Sequence, residues 1–337
     1  MSPQEGKRPA YLEGVPPENF SSGILEVELP ADFGPRTQGK TADMWIVDGK
    51  LVIVRTDINS SYDSLICTIP GSGAVVNSSS VWWFRKIGHM GINHFLGSPH
   101  RNVMIAEKMD EMFDVEFVWR SYFERSSTQT SLYHNYVNEG KRNIYGIAFP
   151  PGLVVNQELP MGQILTPTTK SKDGHDLIIT EEEARGRVDK TGGIGTYDKF
   201  KKTTSDIYSS AKTVAWVKGI IVASTKFEGG IKDGQIKLAD ELLTPHSSRL
   251  WIASTYEERF AKGKNPDSLD KELLRRKLAE LGFRGEGPIP RITPFVARKI
   301  GDAYQKYLMM LRTEREPLEF STEEEIREAI VNYFSRN

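Results

Sequence analysis

Apolar and polar positions alternate most regularly in two stretches, and both predict β-hairpins. The runs MWIV (44–47) and KLVIVRT (50–56) flank Asp48-Gly49, a strong two-residue turn signal, so an antiparallel sheet opens the fold. The second stretch, IIVASTKFEGGIKDGQIKLADELLTP (220–245), has two apolar runs around Lys232-Asp233-Gly234. Read as a three-residue loop ending in a left-handed glycine, that turn sets Lys226 opposite Asp240. Ser224 and Glu228 then share the face by the period of two. Between the hairpins, residues 76–96 suit a helix with an aromatic buried face, and VEFVWRSYF at 115–123 suits a strand. Glu181–Glu183 opens a helix, and a second helix spans about 196–217. The last quarter is helical. Leu269, Leu273, Leu274, Leu278 and Leu281 recur at helical spacing, Thr293-Pro294 reads as N-cap and first residue, and Ser321 with Glu324 as a capping box. Residues 1–24, rich in Pro, Gly and Glu, carry no periodicity and predict an irregular leader.

Charge narrows the function classes. Forty-four Lys and Arg against 45 Asp and Glu leave a net charge of −1, so the chain offers no general field for a nucleic acid polymer or an anionic membrane. Any phosphate site has to be local. The 337 residues predict about two domains or one large one. Cys67, the single cysteine, excludes an internal disulfide, and no apolar run reaches the roughly 18–20 residues of a membrane span. A soluble, cytoplasmic protein is expected, and its oligomeric state, homo-oligomers included, is left open.

Three constellations could carry chemistry. Lys226 with Glu228, Asp240 and Ser224 would put an ammonium and two hard carboxylate ligands on one side of a sheet, which suits a magnesium nucleotide; the plain alternative is a solvated face with ordinary ion pairs. Arg120, Ser126 and Ser247-Ser248-Arg249 hold the guanidiniums and hydroxyls that a phosphomonoester needs, unless the two arginines are unrelated. Ile69-Pro-Gly-Ser-Gly could turn backbone N–H groups toward an anion, or be a simple turn. His89, His94 and His100 have no metal-ligand spacing and read as structural or surface residues.

Taken together, several stretches closely resemble the SAICAR synthetase family, the ATP-dependent ligases of purine biosynthesis. They are Gly39-Lys40, Thr56-Asp57 through Ser60-Ser61-Tyr62-Asp63, IPGSG (69–73), VEFVWRSYFERS (115–126), TPTTK (166–170) with Gly174-His175-Asp176, STKFEGG (224–230), DELLTPHSSRLW (240–251) and Asp270-Lys271. The resemblance implies an α+β fold: after the leader, an antiparallel-sheet lobe (25–113), a larger mixed α/β lobe (114–265) and a helical C-terminal segment (266–337), with ATP in the cleft between lobes. It further implies that Lys40, Lys170, Lys226 and Glu228 meet ATP, with Lys170 and Lys226 as catalytic lysines. Glu228 and Asp240 would hold Mg²⁺, and Arg120, Ser126 and Arg249 the 5′-phosphate of a ribonucleotide. In the implied reaction a substrate carboxylate takes the γ-phosphoryl group, and the amine of L-aspartate displaces phosphate from the acyl phosphate.

Departures from the family pattern cluster. Ser224 and His246 stand where Asp is usual, Ala42 and Ile58 where Arg is common, Leu177 replaces Glu, and Gly229 an aromatic. The primary reading is SAICAR formation from carboxyaminoimidazole ribonucleotide, aspartate and ATP. The altered positions leave two alternatives: a paralogous ligase acting on another base carboxylate or amine in a modified-nucleoside or C-nucleoside pathway, and a catalytically silent nucleotide-binding homologue.

Overall fold

A computed structural model describes residues 12, 14–88, 93–126, 128–170 and 176–336. His89, Gly174, His175 and most of the leader before residue 14 lie outside the described residues. The N-terminal strands are β1 (Thr37–Gln38), β2 (Ala42–Val47), β3 (Lys50–Arg55), β4 (Ile58–Ser61) and β5 (Ser64–Thr68), followed by helix α1 (Ser72–Ile87), β6 (Phe95–His100) and β7 (Val103–Glu107). Five of these strands form one antiparallel sheet in the order β1-β2-β3-β7-β6, and β4 pairs with β5 as a separate ribbon. Asp48 and Gly49 both take positive φ (49° and 72°), the geometry that joins two twisted strands through two residues, as the sequence predicts.

A second, seven-stranded sheet carries the centre of the molecule. Its strands are β8 (Glu111–Met112), β9 (Val115–Arg120), β12 (Ile164–Leu165), β13 (Thr168–Thr169), β14 (Ile220–Lys232), β15 (Gln235–Ala239) and β16 (Ser248–Ile252); β10 (Asn143–Ile144) and β11 (Ile147–Ala148) form a small ribbon of their own. Helices α2 (Glu181–Gly192) and α3 (Thr196–Val217) pack on this sheet, and α4 (Ala253–Ala261), α5 (Glu272–Glu280), α6 (Pro294–Arg312) and α7 (Glu323–Ser335) complete the chain. The architecture is α+β with helices gathered at the C-terminus, as expected. One hydrophobic core runs through both sheets, joining Trp83 and Phe84 of α1 to Phe117 and Trp119 of β9, Phe200 and Tyr208 of α3, and Tyr307 of α6. Each such side chain contributes about 1.5–3 kcal/mol by leaving water. Among the described residues no helix is long and apolar enough to cross a membrane.

Three local expectations are corrected. The helix read over 76–96 starts earlier, at Ser72, and ends at Ile87; Phe95–His100 is strand β6, because its backbone pairs with β7. The capping box lies one residue later than read: Thr322 caps α7 with Glu325, while Ser321 Oγ–H donates to Asn102 Oδ1 at 2.6 Å. The β14–β15 turn has two central residues, Asp233 (φ 50°) and Gly234 (φ 72°), with Lys232 paired to Gln235 and Glu228 to Ala239. That slips the pairing by one, and the last ladder partner is Ala239, so Lys226 has no cross-strand partner in Asp240. Asp240 instead takes φ 61° just past β15, and this left-handed residue redirects a side chain that strict alternation would have sent to the other face. Part of the leader is firmly packed: Asn19 donates to the carbonyls of Ile66 (2.8 Å) and Pro290 (3.0 Å) and accepts from the Ile292 amide (2.8 Å).

Candidate active site

The period of two along β9 sets the frame. Phe117 and Trp119 are buried in the core shared with α3, so Glu116, Val118 and Arg120 are left to line a cleft of about 760 Å³ on the opposite face. Strand β14 adds Ser224 and Lys226 to the same cleft. Ser224 is paired to Arg120 on one side and to Arg249 of β16 on the other, so a single strand position draws together two arginines 129 residues apart in sequence (249 − 120).

One end of the cleft is a lysine–carboxylate cluster. Lys226 Nζ lies 2.8 Å from Glu116 Oε1 and 2.5 Å from Glu228 Oε1, and Lys170 pairs with the other oxygen of Glu228. Thr168 Oγ1–H donates to the free oxygen of Glu116 at 3.1 Å. Glu228 is only 3% exposed, and two ammonium groups supply the counter-charge that such burial demands. Burial alone would discharge Lys226, yet Glu116, Glu228 and Asp240 outweigh it and hold the ammonium well above its usual range. Asp240 is anchored by Arg55 (Nη2 to Oδ1, 2.8 Å), and His94 Nε2 lies 3.2 Å from its main-chain carbonyl. Burial opposes ionisation of Asp240 too, but Arg55, Lys226 and Lys170 keep its carboxyl far below the ordinary carboxylate range.

The other end is an arginine–hydroxyl cluster. Arg120 Nε–H donates to Thr166 Oγ1 at 2.9 Å while a guanidinium nitrogen pairs with Glu124. Arg249 lies 3.3 Å from Glu272 and 3.7 Å from Asp270, and its buried Nε–H has no hydrogen-bond partner among the described residues. Ser126 Oγ sits 3.0 Å from Thr128 Oγ1. Two guanidiniums with spare donors beside hydroxyls can receive the oxygens of a phosphomonoester.

The remaining expected residues divide. Lys40, Leu177 and His246 line the cleft, Lys40 paired with Asp63 at 2.6 Å and Leu177 63% exposed. Ile58 does not line it: the side chain is buried against Leu12, Val15 and Phe20. The anion that the IPGSG turn receives is internal, since the Gly73 amide donates to Asp57 Oδ1 at 2.9 Å. A Cβ at Gly73 would meet the Arg55 carbonyl at 2.4 Å, which accounts for the glycine. Gly229 has a similar reason, because Phe200 already fills the space at 2.5 Å where a larger residue would begin. Arg55, which anchors Asp240, and Glu116, which lines the cleft, are residues the sequence reading missed, whereas His94 is the structural histidine it expected. Arg55 carried a signal of type only, a cation closing the apolar run LVIV, with nothing local to name its partner. Lys271, noted only as part of a motif, also lines the cleft; burial and the neighbouring Arg275 push its ammonium down to about 7. A second cavity, of about 710 Å³ along α6 and Phe320, shares no residue with this cleft.

A cleft with lysines and carboxylates at one end and arginines and hydroxyls at the other, on a two-sheet α+β frame, has the chemistry to receive small anionic ligands. The comparisons narrow that class: the chain belongs to the SAICAR synthetase family, whose model matches residues 36–291. It is 42% identical over 275 residues to the chloroplastic phosphoribosylaminoimidazole-succinocarboxamide synthase of Arabidopsis thaliana, an alignment spanning 80% of this chain but 64%, just under two thirds, of that relative. Against the synthase of Legionella pneumophila (strain Lens) it is 39% identical, covering 75% of this chain and 78% of that protein. The SAICAR synthase of Saccharomyces cerevisiae, solved in complex with SAICAR, superposes with a TM-score of 0.71 at 27% identity, over 87% of this chain and 99% of that one.

Proposed function

We propose that this protein is an ATP-dependent carbon–nitrogen ligase that joins L-aspartate to the carboxylate of carboxyaminoimidazole ribonucleotide, the SAICAR-forming step of purine biosynthesis. The observation that carries the reading is the pairing of Arg120 and Arg249 across Ser224, two residues along β14 from Lys226 and four from Glu228. That spacing gives a ribonucleotide phosphate and a nucleotide triphosphate adjoining sites on one strand. Relatives at 39–42% identity named for this activity support it.

Each residue then has a task. Arg120, Arg249 and Ser126 bind the 5′-phosphate and so fix where the base carboxylate lies. Lys170, Lys226 and Lys40 meet the phosphates of ATP. Glu228 and Asp240 suit Mg²⁺ in donor type, and Arg55 and the lysines keep Asp240 ionised to receive it. Bound there, Mg²⁺ would supply charge neutralisation to the triphosphate. The substrate carboxylate oxygen forms a bond to the γ-phosphorus as the bond to the β-phosphate bridging oxygen breaks and ADP leaves. The amine nitrogen of aspartate next forms a bond to the acyl carbon, phosphate departs with the C–O bond pair, and the nitrogen gives up a proton. Lys226 sits where charge gathers on the transferring group, so its role is alignment and electrostatic stabilisation.

A cytoplasmic location is proposed on the single cysteine, whose buried thiol is pushed up to about 12 and stays inert. The test is to give the purified protein ATP, Mg²⁺, aspartate and the imidazole ribonucleotide, and to follow ADP release and product mass. Stoichiometric ADP and succinocarboxamide are expected; ATP binding with neither product overturns the reading, and turnover with another base carboxylate or amine then separates the paralogous ligase from the silent homologue.

A further inference from the structure

His246 lies on the loop between β15 and β16 and lines the cleft. It meets Tyr304 of α6 edge-on, with ring centroids 5.7 Å apart. Its Nε2 is 2.9 Å from Oδ1 of Asn59, a residue with no exposed surface. The amide orientation of Asn59 is fixed by its other partners: Nδ2 donates to the Asp57 carbonyl (3.1 Å) and to Ser72 Oγ (2.9 Å). The atom facing the imidazole is therefore the amide oxygen, which also accepts from the Tyr304 hydroxyl at 3.3 Å. An acceptor at that place puts the ring proton on Nε2. Burial, then the positive charges of Lys271, Arg55 and Arg275, holds the ring uncharged against the opposing pull of Asp240. The lone pair is left on Nδ1. Among the described residues no group donates to that atom, and it is not one of the sealed, unpartnered atoms of the interior.

We propose that His246 determines base specificity in this cleft: its Nδ1 accepts a hydrogen bond from the exocyclic amino group of the ribonucleotide's imidazole. The inference rests on the ligase reading, which places the 5′-phosphate at Arg120 and Arg249 and the reacting carboxylate by Lys226 and Asp240. The base spans the gap between those ends. His246 lines the cleft together with Arg120, Arg249 and Lys226, so it stands beside that gap. A neutral acceptor suits an uncharged aromatic amine, whereas a base presenting a carbonyl there would set lone pair against lone pair. Asn59 and Tyr304 act through His246 as positioning residues.

The experiment compares the amino-bearing ribonucleotide with its des-amino analogue in wild type and in His246→Ala, with nitrogen-15 spectra of the histidine side chains of wild type recorded alongside. The ratio of kcat/KM between the two substrates cancels any general loss of activity caused by the substitution. Wild type is expected to prefer the amino substrate by roughly tenfold or more, and His246→Ala to lose most of that preference. The spectra are expected to show His246 as the neutral Nε2–H form. Unchanged discrimination in His246→Ala, or a ring protonated on Nδ1, overturns this inference while product formation by wild type leaves the ligase reading standing. Absence of product from wild type overturns both.

Discussion

Arg55 at the end of β3 and Asp240 just beyond β15, 185 residues apart, meet at 2.8 Å and tie the N-terminal sheet to the central one. The same guanidinium reaches Glu241 at 3.6 Å. Arg55 is 7% exposed, so removing it takes the nearest cation from buried Glu241 and leaves Asp240 only Lys226 and Lys170 as counter-charges. Arg55→Met is expected to cost about 3–5 kcal/mol of stability, and Arg55→Lys less, because an ammonium keeps the charge but not the planar fork. Urea unfolding measures the first effect. A Mg·ATP titration should show at least a roughly tenfold loss of affinity in the methionine variant, since Asp240 would no longer be held ionised and aimed. Undiminished affinity would detach this pair from nucleotide binding.

Tyr307 of α6 makes the corresponding tie from the C-terminal helices. Its hydroxyl accepts from Trp83 Nε1–H at 2.9 Å and donates to the Leu243 carbonyl at 2.5 Å, on the loop that carries Asp240 and His246. Tyr307→Phe leaves a buried donor and a buried acceptor without partners, an expected loss of about 2–3 kcal/mol readable in thermal or urea unfolding. A change below about 0.5 kcal/mol would mean that solvent or repacking satisfies both groups.

Much of this frame was legible because it is local. The Asp48-Gly49 hairpin, the opening of α2 at Glu181 and the Thr293 cap of α6 follow from residues within four positions of each other. The cluster on β14 was legible in composition, since period-two spacing alone places Ser224, Lys226 and Glu228 on one face. Asp240 was recovered for the wrong geometric reason: one residue of turn length shifts the register, and a left-handed backbone residue then undoes the shift for that side chain. Arg55, Asn59 and Tyr304 were out of reach. The bonds that give them their roles, Arg55 to Asp240, Asn59 to His246 and Tyr304 to Asn59, span 185 and more residues, and no local spacing encodes a contact between sheets or with a distant helix. The departures split in the same way. Gly229 is explained by Phe200 and His246 by Asn59, both long-range neighbours.

Arg120 separates the two ligand ends. It is 12% exposed and anchored by Thr166 and Glu124, so Arg120→Lys should preserve the fold's charge balance while losing two-pronged contact with a phosphate. The KM for the ribonucleotide is expected to rise roughly tenfold or more with that for ATP nearly unchanged. Steady-state kinetics varying each substrate in turn checks this. Equal rises in both would place Arg120 in the general stability of the cleft.

Glu228 tests the opposite end. Glu228→Gln keeps shape and one acceptor oxygen but removes the charge that holds Lys170 and Lys226 together. Turnover is expected to fall by roughly a hundredfold or more, with ribonucleotide binding retained in a calorimetric titration. Retained turnover would remove Glu228 from the metal and lysine cluster that the proposed reaction needs.

His94 makes stability depend on pH with a sign that can be worked out. Its ring is 1% exposed, lies 5.4 Å from that of Phe84 and has Nε2 3.2 Å from the Asp240 carbonyl. Burial is the largest influence, and it pushes the imidazole down to about 4 from an ordinary 6.5. Between those values the unfolded chain binds a proton that the folded chain refuses. The contribution is therefore complete above about pH 6.5 and is lost as pH falls through the window, roughly 2–3 kcal/mol by pH 4.5. Asp43 acts in the reverse sense, because burial raises its carboxyl to about 6 and protonation relieves the folded state as pH drops below that. Total stability thus mixes the two, and the informative quantity is a difference between proteins. His94→Gln, whose amide can still donate to the Asp240 carbonyl, should lose about 2–3 kcal/mol less than wild type between pH 7 and pH 4.5 in urea unfolding. Parallel pH profiles for the two proteins would show that His94 takes up its proton without unfolding the chain.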